Sequence, residues 1–130
     1  MKRVVLTLML AMLSSNAAAA WVQIGENDRW VAYADTEAIR RSGNLVAIWT
    51  LFDYKSTQES RSGKRYLSEK SQREVDCQSE RLRVLFFTWH ANQMGNGIVI
   101  YTGDKPTNWE PTSSPGSIAG NLWKFACGKK

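Results

Sequence analysis

The chain has 130 residues, 43% of them hydrophobic, with a formal net charge of +5, one histidine and two cysteines. That length suits one small domain with a real core. The weak positive charge falls short of a nucleic-acid footprint, and one histidine with two cysteines cannot furnish a separate zinc site.

The chain opens with Met1-Lys2-Arg3, an apolar run from Val4 to Leu13, and small residues from Ala17 to Ala20. This is the pattern of a secretory signal peptide, with an Ala18-x-Ala20 site before Trp21. The apolar run is shorter than the roughly 20 residues needed to span a bilayer, so no membrane span is expected. Residues 1–20 are therefore predicted to be a cleaved leader and 21–130 a single exported domain, periplasmic, extracellular or at the cell surface. All six tryptophans lie after the leader, and side chains of that size can each bury about 150–250 Å².

Trp21 to Gly25 and Arg29 to Ala34 read as short strands around a Glu26-Asn27-Asp28 turn. Asp35 to Gly43 suits one capped helical turn. Leu45 to Tyr54 carries apolar side chains at both parities, with Ala47, Trp49 and Leu51 opposite Val46, Ile48 and Phe52, as in a central strand covered on both sides. Lys55 to Gly63 is polar and reads as an exposed loop. Arg65 to Cys77 is polar on both faces and is expected to lie near a sheet edge or to carry a bulge. Arg81 to Ala91 returns to apolar alternation, with Leu82, Val84 and Phe86 opposite Leu85, Phe87 and Trp89. A turn at Met94-Gly95-Asn96-Gly97 then leads to a last strand, Ile98 to Tyr101.

Thr102 to Pro115 is a loop that Trp109 should pin to the body. A helix follows, with Ser114 as N-cap, Pro115 at its first position, an apolar stripe of Ile118, Leu122 and Phe125 flanked by Ala119 and Ala126, and Gly128 as C-cap. Two cysteines in an exported chain are most simply a disulfide, Cys77 to Cys127, and closing a loop of about 50 residues stabilises by about 4 kcal/mol in the chain-entropy model. The fold class is thus α+β: an antiparallel sheet of about six strands with a C-terminal helix packed on it and tied to it by the disulfide.

The order Trp21, Tyr33-Ala34-Asp35, Ile39-Arg40-Arg41-Ser42-Gly43, Val46-Ala47-Ile48-Trp49, Asp53-Tyr54 resembles the surface-adhesin protein E family. Tyr66-Leu67-Ser68, Asp76-Cys77, Trp109, Pro115-Gly116-Ser117 and Cys127 continue the resemblance over nearly the whole mature chain. It implies a six-stranded antiparallel sheet joined to a C-terminal helix by a disulfide. It also implies adhesion, since the family is named after an outer-membrane lipoprotein that binds host matrix proteins through a basic strand beginning Lys-Arg-Tyr. Lys64-Arg65-Tyr66 matches that start. Glu69, Glu74 and Asp76 make the rest more acidic, and no cysteine follows the leader to carry a lipid.

No catalytic constellation is present. His90 is the single histidine, set in an aromatic strand, and no serine has a base partner in a nucleophile motif. Gly95-Asn96-Gly97 lacks the lysine of a phosphate loop. The reading is a non-catalytic module without metal or cofactor that binds a protein of the envelope or host matrix; a homodimer is also compatible. The partner-binding candidates are Lys64, Arg65, Tyr66, Lys70, Arg73, Arg81 and Arg83, on a strand whose free edge would add backbone pairing. The alternative is a periplasmic carrier holding a small apolar or aromatic ligand between sheet and helix.

Overall fold

The computed structural model describes residues 20–112 and 117–128. The leader up to residue 19, and the proposed cap Ser114 with Pro115, lie outside the described residues. One antiparallel sheet dominates. Strands β1 (Trp21–Glu26), β2 (Trp30–Asp35), β4 (Leu45–Glu59), β5 (Arg65–Asp76), β6 (Arg81–His90) and β7 (Val99–Gly103) follow one another across it in that order. Two short strands complete it: β3 (Arg40–Ser42) pairs with β4, and β8 (Glu110–Pro111) pairs with β6.

Helix α1 (Ile118–Cys127) packs on one face. Ser117 caps it, its side chain accepting from the Gly120 N–H at 3.0 Å, and Gly128 ends it in the left-handed conformation at φ 66°, a geometry that favours glycine. Ala119, Leu122, Trp123, Ala126 and Cys127 form the stripe that meets Ile24, Ala34, Val46, Ile48, Val75 and Leu82 of the sheet. Leu122, Ala126, Ile48 and Val75 are fully buried. At the start of the helix the Asn121 side chain donates to the Ile24 carbonyl at 3.0 Å, where β1 carries a bulge. Ile118 lies against Gly25, where a Cβ would collide with it. Cys77 and Cys127 are bonded, Cα–Cα 5.6 Å, fastening the helix end to the sheet.

Several sequence expectations are corrected. Asp35 to Gly43 forms no helical turn: Asp35 Oδ1 accepts from the Glu37 N–H at 2.8 Å, and the chain then enters β3. The same carboxylate-to-backbone bond that caps a helix can close a turn in extended chain. The strand ending at Tyr54 runs on to Glu59. The helix begins three residues after the proposed proline start, on Ser117 rather than Ser114. The strand β5 is not an edge but central, paired along both sides with β4 and β6, while the irregularity expected as the alternative is present in its pairing with each.

The bulges decide which side chains share a face. Gln72 pairs with Phe86 while Arg73 pairs with Val84, so Leu85 is an extra residue in β6. Past this bulge the side-chain parity reverses. Leu82 and Val84 therefore share the helix-bearing face with Phe87 and Trp89, and Phe86 points away, correcting the simple alternation. A second irregularity separates Asp53, paired with Ser68, from Gln58, paired with Tyr66.

Candidate interaction surfaces

The seven nominated residues do not form one surface. Lys64 is exposed in the β4–β5 hairpin turn, and Arg65 beside it reaches Glu59 at 3.8 Å with both side chains largely in solvent. Arg73 lies half-buried on the helix-bearing face, its guanidinium carbon 5.0 Å from the Phe52 ring centre and its Nε donating to Thr50 Oγ1 at 3.2 Å. Burial pulls its pKa down, opposed first by Glu69. Lys70 faces the opposite side of the sheet. Because β5 is paired on both sides, it offers no free edge, and the strand-addition expectation at this strand is set aside.

Arg81 and Arg83 belong to a separate cluster. Each guanidinium carbon sits 4.5 Å from the Trp109 ring centre. Arg81 pairs with Asp76 at 3.3 Å and Arg83 with Glu74 at 2.8 Å. Asp76 also accepts from the Gln78 and Ser79 backbone N–H groups, and these bonds, led by Ser79, hold its carboxyl below the ordinary value. Trp109 thus pins its loop as expected, helped by the Thr107 N–H to Val84 carbonyl bond of 2.8 Å. These two arginines are committed to internal contacts.

Tyr66 joins a surface that the sequence had not revealed. Beyond the helix, the same sheet face carries a row of rings running across β4, β5, β6 and β7. Tyr54 meets Tyr66 edge-on at 5.7 Å, Tyr66 stacks on Trp89 at 4.2 Å and 4°, and Trp89 meets Tyr101 at 5.0 Å. Phe87 packs 5.8 Å from Tyr101. Glu69 sits among them, accepting from Trp89 Nε1 at 3.3 Å and from Ser71 Oγ at 2.9 Å. Burial, then the Glu69 charge, pushes both the Tyr54 and Tyr66 phenols up in pKa, so they stay protonated. Tyr101 at the end of the row is 43% exposed, and Ile98 and Val99 of the neighbouring edge are 73% and 52% exposed. The available sequence signal was the Phe87-x-Trp89 spacing; the bulge at Leu85 concealed which face it served.

On the other face, the Gln93–Gly95 turn folds over β4 and β5. Met94 N–H donates to Asp53 at 2.8 Å and Gly95 N–H to Ser68 Oγ at 2.8 Å. His90 lies beside this turn, bonded through Nε2 to Thr88 Oγ1 at 2.7 Å. Burial, then Lys70, lowers its pKa. It is a packed histidine. Among the described residues no group of three or more metal-ligating side chains occurs, and no helix is long and apolar enough to cross a membrane. Buried core residues fill the contact between helix and sheet, and a cleft of about 390 Å³ opens at the helix start, lined by Gly25, Glu26, Asn27, Trp30, Ser117, Ile118 and Asn121.

A sheet of this order with a disulfide-tethered C-terminal helix can be compared with known proteins. The family model described as surface-adhesin protein E matches residues 21–128. The chain belongs to the surface-adhesin protein E family. No curated protein sequence matches the chain. Three solved structures of the adhesin have its fold. One of Haemophilus influenzae protein E is 13% identical, with a TM-score of 0.65 over 85% of this chain and 86% of that one. A second crystal form gives 13% identity and a TM-score of 0.66 over 85% and 89%. Protein E from non-typeable Haemophilus influenzae gives 12% identity and a TM-score of 0.63 over 88% and 79%. This adhesin-E member is accordingly an exported protein, periplasmic or at the cell surface, of a non-catalytic family.

Proposed function

We propose that the chain is a protein-binding module that recognises its partner through the uncovered aromatic half of the sheet face, flanked by Lys64 and Arg65. The observation that carries this reading is the Tyr54–Tyr66–Trp89–Tyr101 row, left open by the helix and ending in exposed Tyr101. Tyr, Trp and Arg are enriched among the residues that dominate binding energy at protein interfaces, and Tyr and Trp bury a large area with little loss of conformational freedom. Stacked rings lose still less, since their neighbours already fix their rotamers. The partner is an extracellular-matrix or envelope protein with a partly acidic face, to suit the two hairpin cations.

The mature protein, starting at Trp21, is the form to test. Surface-coated matrix proteins should capture it saturably, and the Tyr66→Ser, Tyr101→Ser double variant should bind at least tenfold more weakly while still showing a cooperative melt and the wild-type far-ultraviolet circular dichroism. Lys64→Ser with Arg65→Ser should weaken capture less and reduce its salt dependence. Unchanged capture by the tyrosine double variant refutes the aromatic surface. Intact mass of exported material checks the start: retention of residues 1–20 refutes processing before Trp21.

A further inference from the structure

The face of the sheet away from the helix holds a cleft of about 320 Å³ lined by Trp21, Asp35, Ala38, Trp49 and Lys70. It draws on four elements: Trp21 from β1, Asp35 from the end of β2 with Ala38 just after it, Trp49 from β4 and Lys70 from β5. Trp49 is braced edge-on against Phe86 at 6.2 Å and 82°, which fixes its indole. The walls are mostly apolar, yet two opposite charges border them.

The two charges are not equivalent. Asp35 is 6% exposed, and its Oδ1 already accepts from the Ala20 and Glu37 N–H groups at 3.2 and 2.8 Å. The Lys70 ammonium has no hydrogen-bond acceptor and no ion-pair partner among the described residues. Its stem is packed under Gly95 so closely that a Cβ there would collide with Lys70 Cε. A cation at the border of an apolar cleft with no acceptor from the protein is available to the anion of a ligand, which it would hold by a charge-assisted hydrogen bond.

From this charge pattern we propose that the cleft binds a small organic carboxylate, its apolar body between Trp21 and Trp49 and its carboxylate on Lys70. The volume stands at the small end of ligand pockets, roughly 300–1,000 Å³, and suits one ring on a short chain better than a lipid tail. This site lies across the sheet from the aromatic row and does not rest on the reading of that row.

The test uses the mature protein with 3-phenylpropionate, its methyl ester, 3-phenylpropylamine and L-phenylalanine, read by calorimetry and by tryptophan emission. The acid should saturate one site and shift the emission, with the ester and amine binding at least tenfold more weakly. Lys70→Met and Lys70→Gln should each lose at least tenfold in affinity for the acid, while Tyr101→Ser keeps it. Equal binding of ester and acid on the wild-type protein overturns the proposal without any variant. So does absence of saturation by the acid, tighter binding of L-phenylalanine, or undiminished affinity in a folded Lys70 variant.

Discussion

The helix-bearing face of the sheet has two halves that differ in what their side chains touch. Near Cys77, small and branched residues, Ala34, Val46, Ile48 and Val75, lie flat enough for the helix to seat Leu122 and Ala126 on them. Near Tyr66 the positions are large rings that stand against each other, with Glu69 among them and Arg73 laid over Phe52. The first half derives its order from being covered. The second derives its order from lateral stacking, so its rings are positioned while their outer edges stay accessible. A single strand pair, β5 and β6, serves both purposes, and the bulge at Leu85 lies between them.

The comparison breaks first at the covered half. Cys77→Ser with Cys127→Ser should cost about 2–5 kcal/mol, read as a melting-temperature drop of roughly 10 °C or more for a domain of this size. Leu122→Ala should cost a similar 2–5 kcal/mol through the transfer loss and the cavity it leaves. An unchanged melting temperature in either variant would mean that the helix does not stabilise the sheet.

In the open half the effect should fall from the middle of the row to its exposed end. Trp89→Ala removes contacts to Tyr66, Phe87 and Tyr101, each aromatic pair worth about 0.5–1.5 kcal/mol, and should cost about 2–4 kcal/mol with a loss of near-ultraviolet circular dichroism. Tyr101→Ser, at the exposed end, loses its contacts to Phe87 and Trp89 and should cost about 1 kcal/mol, the low end for two aromatic pairs. If Tyr101→Ser instead destabilises as much as Leu122→Ala, lateral stacking is part of the core and the division between halves fails.

The mildest effect is expected from His90, on the face away from both halves. Its folded pKa lies below the ordinary 6.5, through burial and the Lys70 charge. The unfolded state therefore takes up the proton more readily, and stability that is complete above about pH 6.5 is lost as pH falls through the folded value. Denaturant melts across that range should flatten in His90→Gln. An identical pH profile in the variant would assign the dependence to other groups.

Much of the fold was legible because apolar alternation and the cysteine pair report directly on burial. Val46 and Ile48 point to the helix and Trp49 away, as their parity indicated. The C-terminal cap at Gly128 was equally readable, since few residues adopt its φ. The placement of β5 was not. Its hydrophilic side chains suggested an edge, but they bond to one another and to neighbouring backbone: Ser71 to Glu69, Arg73 to Thr50, Ser68 to the Asn92 carbonyl at 2.6 Å. Satisfied polar groups can occupy a central strand, and a sequence lists donors and acceptors without pairing them. The surface residues scattered for a related reason, because charge at Lys70, Arg73 and Arg81 was counted before its faces and partners were known. The aromatic row depended on parity reversal at Leu85, which leaves no mark in composition.

The disulfide also changes the covalent topology of the chain. Cys77 and Cys127, 50 residues apart, close a ring that contains β6, β7, β8 and α1. The exposed stretch from Asp104 to Asn108 lies inside that ring. A protease cut there leaves every residue on one covalent molecule, so the nicked protein runs as a single band until it is reduced. The exposed hairpin from Arg61 to Arg65 lies outside the ring, and a cut there yields two pieces held only by non-covalent contacts, sheet pairing and the packing of the helix. Outside the cytoplasm, where proteases act on folded surfaces, these two exposed turns therefore carry unequal risk.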